Sequence, residues 1–325
     1  MAKNYHSIYG QHIKQLIQLK RNLGFRYVTE TFAFSRIDEL AITTNQSSKG
    51  ITKPFADLVA KRRQNESKEY HYHRVLMLAK LSSYMNDMGI ASYIPKLPPC
   101  PKNNFVPYIY TKEEIDALLK ACDELRLRVR NHNTTLFCMP VLVRVLYATG
   151  IRIGEALDLK DDDINLENKY IRVNDSKNGK QRIIPIAESL VQACSDYLEY
   201  RNRLPSIRPG YFFCNLEGNK CNQGVRSWFR KCLELAGIPY MGRGQGPRIH
   251  DLRHTFAVRS LAKMADTGMD LYVSLPILSN YLGHQSIEST NHYVRLTASI
   301  FPDLINDMDR SCIDVFPKFS CYETD

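Results

Sequence analysis

The sequence predicts a mainly α-helical protein of two domains, with a small β-hairpin or sheet confined to the second. Three observations carry this. Apolar residues recur at helical spacing along most of the 325 residues, one segment shows the alternation of a hairpin, and a proline-rich connector separates a basic first third from a nearly neutral remainder. The composition, 44% hydrophobic and 24% charged, is that of a globular chain and excludes disorder and fibrous repeats. At roughly 100–200 residues per domain, the length suits two.

In the first hundred residues, Ile13, Leu16, Ile17 and Leu23 lie at helical spacing before Gly24, and Phe34, Ile37, Leu40 and Ala41 repeat the pattern. A third stretch, residues 67–88, carries Val75, Leu76, Ala79 and Met85 and stops at Gly89. These read as a small helical bundle. Over residues 94–107 the prolines of IPKLPPCPKNNFVP forbid regular structure and favour an extended linker. The expected domains are therefore 1–103 and 104–325. Thr111 and Glu114 then have the spacing of a capping box ahead of Ile115, Leu118 and Leu119. Residues 140–149 form an apolar helix ended by Gly150, and a new helix opens near Arg152. YIRVNDSKNGKQRIIPI reads as the hairpin, with Ile171 and Val173 set against Ile183 and Ile184 across an Asn178-Gly179 tip. Helical patterns return over residues 188–204, 222–236, 250–265, 274–282 and 286–296.

Up to residue 103 the chain holds 16 Lys+Arg against 7 Asp+Glu, so nearly all of the formal +10 sits there. Such a basic domain suggests a polyanion clamp, since neutralising phosphates releases counterions. Lys61, Arg62, Arg63, Lys68 and Arg74 are candidate phosphate contacts, against the plainer reading of a solvated charged face. The nine cysteines are scattered without a CxxC pair, which fits free thiols in a reducing cytoplasm and excludes a disulfide framework or zinc site. The longest apolar run, residues 136–143, is far short of the roughly 20 residues of a membrane span. The N-terminus lacks the pattern of a signal peptide.

Three islands stand out: TGIRIGEAL around Arg152, HDLRHTFA beginning at His250, and LGHQSIESTNHYV ending at Val294. Transfer of a phosphodiester to a side chain needs a nucleophile, cations around the phosphorane and an acid for the departing oxygen. Tyr293 is a candidate nucleophile, though a phenol of pKa about 10 needs cationic neighbours or a base. Arg152 and Arg253 suit the two non-bridging oxygens, because a guanidinium stays charged and presents a donor fork. His250 shares a helical face with Arg253, His284 precedes the tyrosine segment, and Lys177 at the hairpin tip is placed to protonate the leaving 5′ oxygen. Each also has a plainer role: an ion pair with Glu155 for Arg152, a solvated turn for Lys177, packing for Tyr293. His250 and His254 have metal-ligand spacing without the glutamate of HExxH or a third ligand, and His254 reads as structural within its helix.

In this order, with Lys177 between them, the islands closely resemble the tyrosine recombinase (phage integrase) family from about Tyr108 onward. The resemblance implies that Arg152, Lys177, His250, Arg253, His284 and Tyr293 are the catalytic set, with Glu155 as an acidic supporting residue. It implies a helical, SAM-like core-binding domain followed by a mixed α+β catalytic domain. It further implies a site-specific recombinase without cofactor or metal that acts on double-stranded DNA through a 3′-phosphotyrosyl intermediate. Four protomers would meet in a synapse and exchange strands through a Holliday junction. Residues 300–308, with Ile300, Leu304, Ile305 and Met308 on one face, would pack on their own domain or exchange with a neighbour. The chain looks like the Xer-type resolvases or the simpler integrases and transposases of mobile elements. A type IB topoisomerase, a non-catalytic DNA-binding protein on the same fold and a metal-dependent nuclease are the competing readings.

Overall fold

A computed structural model describes residues 4–297 except 102–105, 127, 129–130, 132–133, 175–180, 205–209, 222–223, 243–245, 285–289, 291–292 and 294–295. Contacts divide the chain into two units, Met1–Phe105 and Val106–Asp325. As predicted, the protein is mainly helical with a small antiparallel sheet in the second unit.

The first unit is four helices, α1 (Gly10–Asn22), α2 (Val28–Thr43), α3 (Lys53–Ala60) and α4 (Lys68–Asp87). Its core gathers Tyr9, Ile13, Phe34, Ile37, Phe55, Leu78, Leu81 and Met85, all essentially buried. Helix α3 was not foreseen, because two turns carry too few apolar residues to display a period. Its start is nevertheless specified: the Thr52 hydroxyl accepts from the Phe55 N–H at 3.4 Å, and Pro54 sits in the first turn. Buried Asp38 on α2 accepts from the His6 and Ser7 N–H groups at 2.8 and 3.0 Å, tying down the segment before α1.

One sequence expectation is corrected here. Arg74 is 3% exposed, and its guanidinium donates to both Glu66 oxygens, at 2.8 and 2.6 Å, and to the Lys61 carbonyl at 3.1 Å. It fastens the 61–66 loop to α4 and presents nothing to a phosphate. A buried charge needs its partner, and Glu66, three residues beyond the basic run, is that partner. Lys61, Arg62, Arg63 and Lys68 are exposed.

In the second unit, α6 (Met139–Thr149) is mostly apolar and buried, with Arg144 reaching out to Asp123 at 2.7 Å. Helices α5 (Lys112–Asp123), α7 (Ile153–Asp158), α8 (Glu188–Asn202), α9 (Val225–Leu235) and α10 (Asp251–Asp266) pack against it, and α11 (Leu271–Leu282) packs on α10. The capping box expected at Thr111 and Glu114 is formed. Strands β1 (Ile164–Asn165), β2 (Tyr170–Val173) and β3 (Arg182–Pro185) make an antiparallel sheet in that order. The register sets Ile171 opposite Ile184 and Val173 opposite Arg182. Ile183 faces outward, 63% exposed, so Arg182 rather than Ile183 occupies the inner face. The Asn178-Gly179 tip lies outside the described residues.

Candidate active site

Gly150 ends α6 at φ +61°, the left-handed region that favours glycine, and a Cβ there would lie 2.4 Å from the Phe256 ring. The turn lets Arg152 open α7, whose third residue, Glu155, accepts from the Arg152 N–H at 2.9 Å. The same carboxylate pairs with the Arg152 guanidinium at 2.9 Å and with that of Arg182 at 2.7 Å. These two cations hold Glu155 down to about 2 against the opposing effect of burial. The predicted Arg152–Glu155 ion pair therefore exists, as part of a three-residue network. Arg182 also donates to the Tyr281 carbonyl at 2.9 Å, and Arg152 to the Gly283 carbonyl at 3.3 Å. Arg182 thus grips the last turn of α11 and Arg152 the residue after it.

Arg253 on α10 is 2% exposed. Its two terminal nitrogens donate to the Gly150 carbonyl at 2.7 Å and the Leu282 carbonyl at 2.8 Å. Burial and then the nearby Arg152 lower it to about 10, still cationic at neutral pH. Tyr293, 3% exposed, packs among Ala257, Val258, Leu261, Leu278 and Leu282, so the packing role foreseen as its plainer alternative is also real. Its phenol lies 3.0 Å from Nδ1 of His254. Burial raises the phenol above its ordinary value, while the charge of Arg253 and a hydrogen bond from it, then the charge of Arg152, pull the other way.

His284 Nδ1 meets the hydroxyl of fully buried Thr290 at 2.8 Å, and its ring stacks toward Tyr293 with centroids 6.1 Å apart. Burial, then repulsion from Arg253, Arg152 and Arg182, lowers His284 to about 4. His250 caps α10 edge-on to His254, with ring centroids 4.9 Å apart. Desolvation of its ring, then Arg253, Arg248 and Arg152, push it to about 4 as well. The residue keeps an exposed face, so water screens much of that effect. Both imidazoles are neutral at pH 7 and can donate one hydrogen bond without adding charge.

Arg152, Glu155, Arg253, His284 and Tyr293 are brought together, with His250 beside them, whereas Lys177 falls outside the described residues. The sequence left three contributors unnamed: Arg182, which the inner-face register would have revealed; Thr290, directly before the text NHYV; and His254, read as structural within its helix yet facing the phenol. Taken together, the pocket sets guanidinium groups and neutral imidazoles around a phenol, which is the equipment for phosphoryl transfer to tyrosine.

The sequence profile of the phage integrase family matches residues 109–299. A Sinorhizobium fredii protein named for integrase/recombinase activity, y4rB, is 28% identical over 310 residues, covering 94% of this chain and 98% of its own. The tyrosine recombinase XerA of Pyrococcus furiosus is 30% identical over 227 residues, 69% of each chain. The integrase of transposon Tn1549, solved with transposon right end DNA, covers 91% of this chain and 100% of its own at a TM-score of 0.60. At 17% identity that last likeness is one of fold.

Proposed function

The chain belongs to the phage integrase family, and from that premise we propose that it is a site-specific recombinase whose nucleophile is Tyr293. It cuts one DNA strand by transferring the 3′ phosphate to the tyrosine and rejoins it to a different 5′ hydroxyl. The observation that carries this is the Tyr293 phenol in one pocket with Arg253, Arg152 and His284.

In the proposed division of labour, Arg152 and Arg253 neutralise the non-bridging oxygens, and neutral His250 and His284 donate to the same phosphate. Lys177 protonates the leaving 5′ oxygen, and Glu155 orients Arg152. The phosphotyrosyl ester conserves the energy of the broken linkage, so rejoining needs no nucleotide. Solved relatives support DNA as the partner: a XerH recombinase was solved with its difH substrate, and a lambda integrase dimer with its core site. Residues 1–103 serve as the core-binding domain and 104–325 as the catalytic domain. Four protomers form the synapse, with tail exchange through residues 300–308, which lie outside the described residues. The cytoplasm is the proposed location, and among the described residues no helix is long and apolar enough to cross a membrane.

The test is covalent trapping on a nicked site, where the cut fragment diffuses away and the ester persists. Wild-type protein should give a DNA adduct stable on a denaturing gel, while Tyr293→Phe binds the site and gives none. An adduct from the phenylalanine variant overturns the assignment.

A further inference from the structure

The motif HDLRH contributes His250 and Arg253 to the set above and leaves Asp251 and His254 without a function. His254 is mostly buried, its Nδ1 3.0 Å from the Tyr293 hydroxyl, and its Nε2 faces Oδ1 of Asp251 at 4.0 Å. Asp251 is completely buried and accepts from the Arg248 N–H at 2.8 Å. Carboxylate, imidazole and hydroxyl thus stand in series, the order of an orienting acid, a base and its nucleophile. We propose that His254 is the base that takes the phenolic proton of Tyr293, with Asp251 as its positioning residue. This rests on the reading of Tyr293 as the nucleophile.

In the step, the Oη–H bond of Tyr293 breaks and its proton passes to His254 Nδ1. The oxygen forms a bond to phosphorus, and the bond from phosphorus to the 5′ oxygen breaks. That oxygen keeps the electron pair and takes a proton from the Lys177 ammonium. Rejoining runs the same transfers backward, so His254 returns its proton to the departing phenolate and Lys177 recovers its own from the 5′ hydroxyl.

His250 is less suited to this task. Arg253, Arg248 and Arg152 all oppose its protonation, whereas His254 Nδ1 lies 3.0 Å from the Tyr293 hydroxyl and its Nε2 faces Asp251, a carboxylate also paired with the Arg248 guanidinium at 3.2 Å. His254 meets Asp251 and His250 on its own helix and Tyr293 from the C-terminal segment. Arg253 acts on Tyr293 and favours the phenolate that the transfer creates.

The experiment is single-turnover cleavage of the nicked site by full-length wild type, Tyr293→Phe, Lys177→Ala, His254→Ala and His254→Asn. Site binding and thermal melting are followed in parallel. Removal of a general base costs about 10²–10⁴-fold, so both His254 variants should bind and cleave at least about 100-fold more slowly. Added imidazole should restore part of the rate to His254→Ala and none to Tyr293→Phe. Such rescue separates a missing proton acceptor from a damaged fold. On DNA with sulfur in place of the scissile 5′ oxygen, whose departure needs no proton, Lys177→Ala should recover and His254→Ala should not. Cleavage by either His254 variant within about threefold of wild type overturns the proposal, as does recovery of His254→Ala on the sulfur substrate. An adduct from Tyr293→Phe would instead overturn the underlying assignment of the nucleophile.

Discussion

Arg182 shows how one side chain can set the position of several others. It shares Glu155 with Arg152, and both cations reach the turn that carries His284. Losing Arg182 leaves buried Glu155 with one guanidinium partner instead of two, which costs part of the about 3–5 kcal/mol of a fully broken buried pair. Arg182→Ala should therefore lower the melting temperature by several degrees, and cleavage should fall because Glu155 then pulls Arg152 alone. For both the acid and the base stability falls as pH falls, each in its own window. Glu155, held to about 2 from an ordinary 4.5, contributes stability above pH 4.5 that is lost as pH falls toward 2. His284, held to about 4 from 6.5, binds its proton more readily in the unfolded chain, so acid erodes stability between pH 6.5 and 4. Melting curves across both windows should show two separable losses, the upper one reduced in His284→Gln. The sequence named Arg152, Glu155 and His284 because each sits in a short island that carries the family resemblance. It passed over Arg182, whose role depends on a pairing register that a shift of one residue reverses.

At the level of elements, the pocket is assembled where α6 stops, α10 begins and the turn after α11 closes over them. Gly150 is where these meet. Its left-handed φ and the 2.4 Å approach to Phe256 leave no room for a methyl group, and its carbonyl is one of the two that anchor Arg253. Gly150→Ala should destabilise the protein by at least about 1–2 kcal/mol and slow cleavage as the carbonyl turns away from the guanidinium, measured by denaturant melts and adduct formation. The Gly150 stop was legible because a glycine directly follows an apolar run. The identity of Arg253's partners was not, because Gly150 and Leu282 lie 103 and 29 residues away in sequence. Thr290 belongs to the same class: helical spacing marked its segment but not the bond that fixes the His284 ring.

For the whole molecule, the charge asymmetry gives a measurable expectation for DNA binding. Replacing exposed Lys61, Arg62 and Arg63 together by alanine should weaken binding across sequences and reduce the salt slope by up to about 2.7, at roughly 0.9 per phosphate contact. Arg74→Ala should instead lower the stability of the first unit, since its charge is spent on Glu66. Because arginines supply the positive charge in the proposed chemistry, cleavage should proceed fully in EDTA, and a strict demand for a divalent ion would contradict it. The helical architecture followed from apolar spacing and punctuation. The split of the basic cluster into exposed residues and one internal strut did not, because burial depends on tertiary neighbours.

The two carbonyls that seat Arg253 have a consequence for the protein while it is being made. One belongs to residue 150 and the other to residue 282, so a chain still emerging from the ribosome lacks the second support until most of the catalytic unit has been synthesised. Tyr293 follows only eleven residues later in the numbering. A nascent or prematurely terminated product can therefore carry nearly all the excess positive charge while still lacking Tyr293 and one of the two carbonyls that hold Arg253.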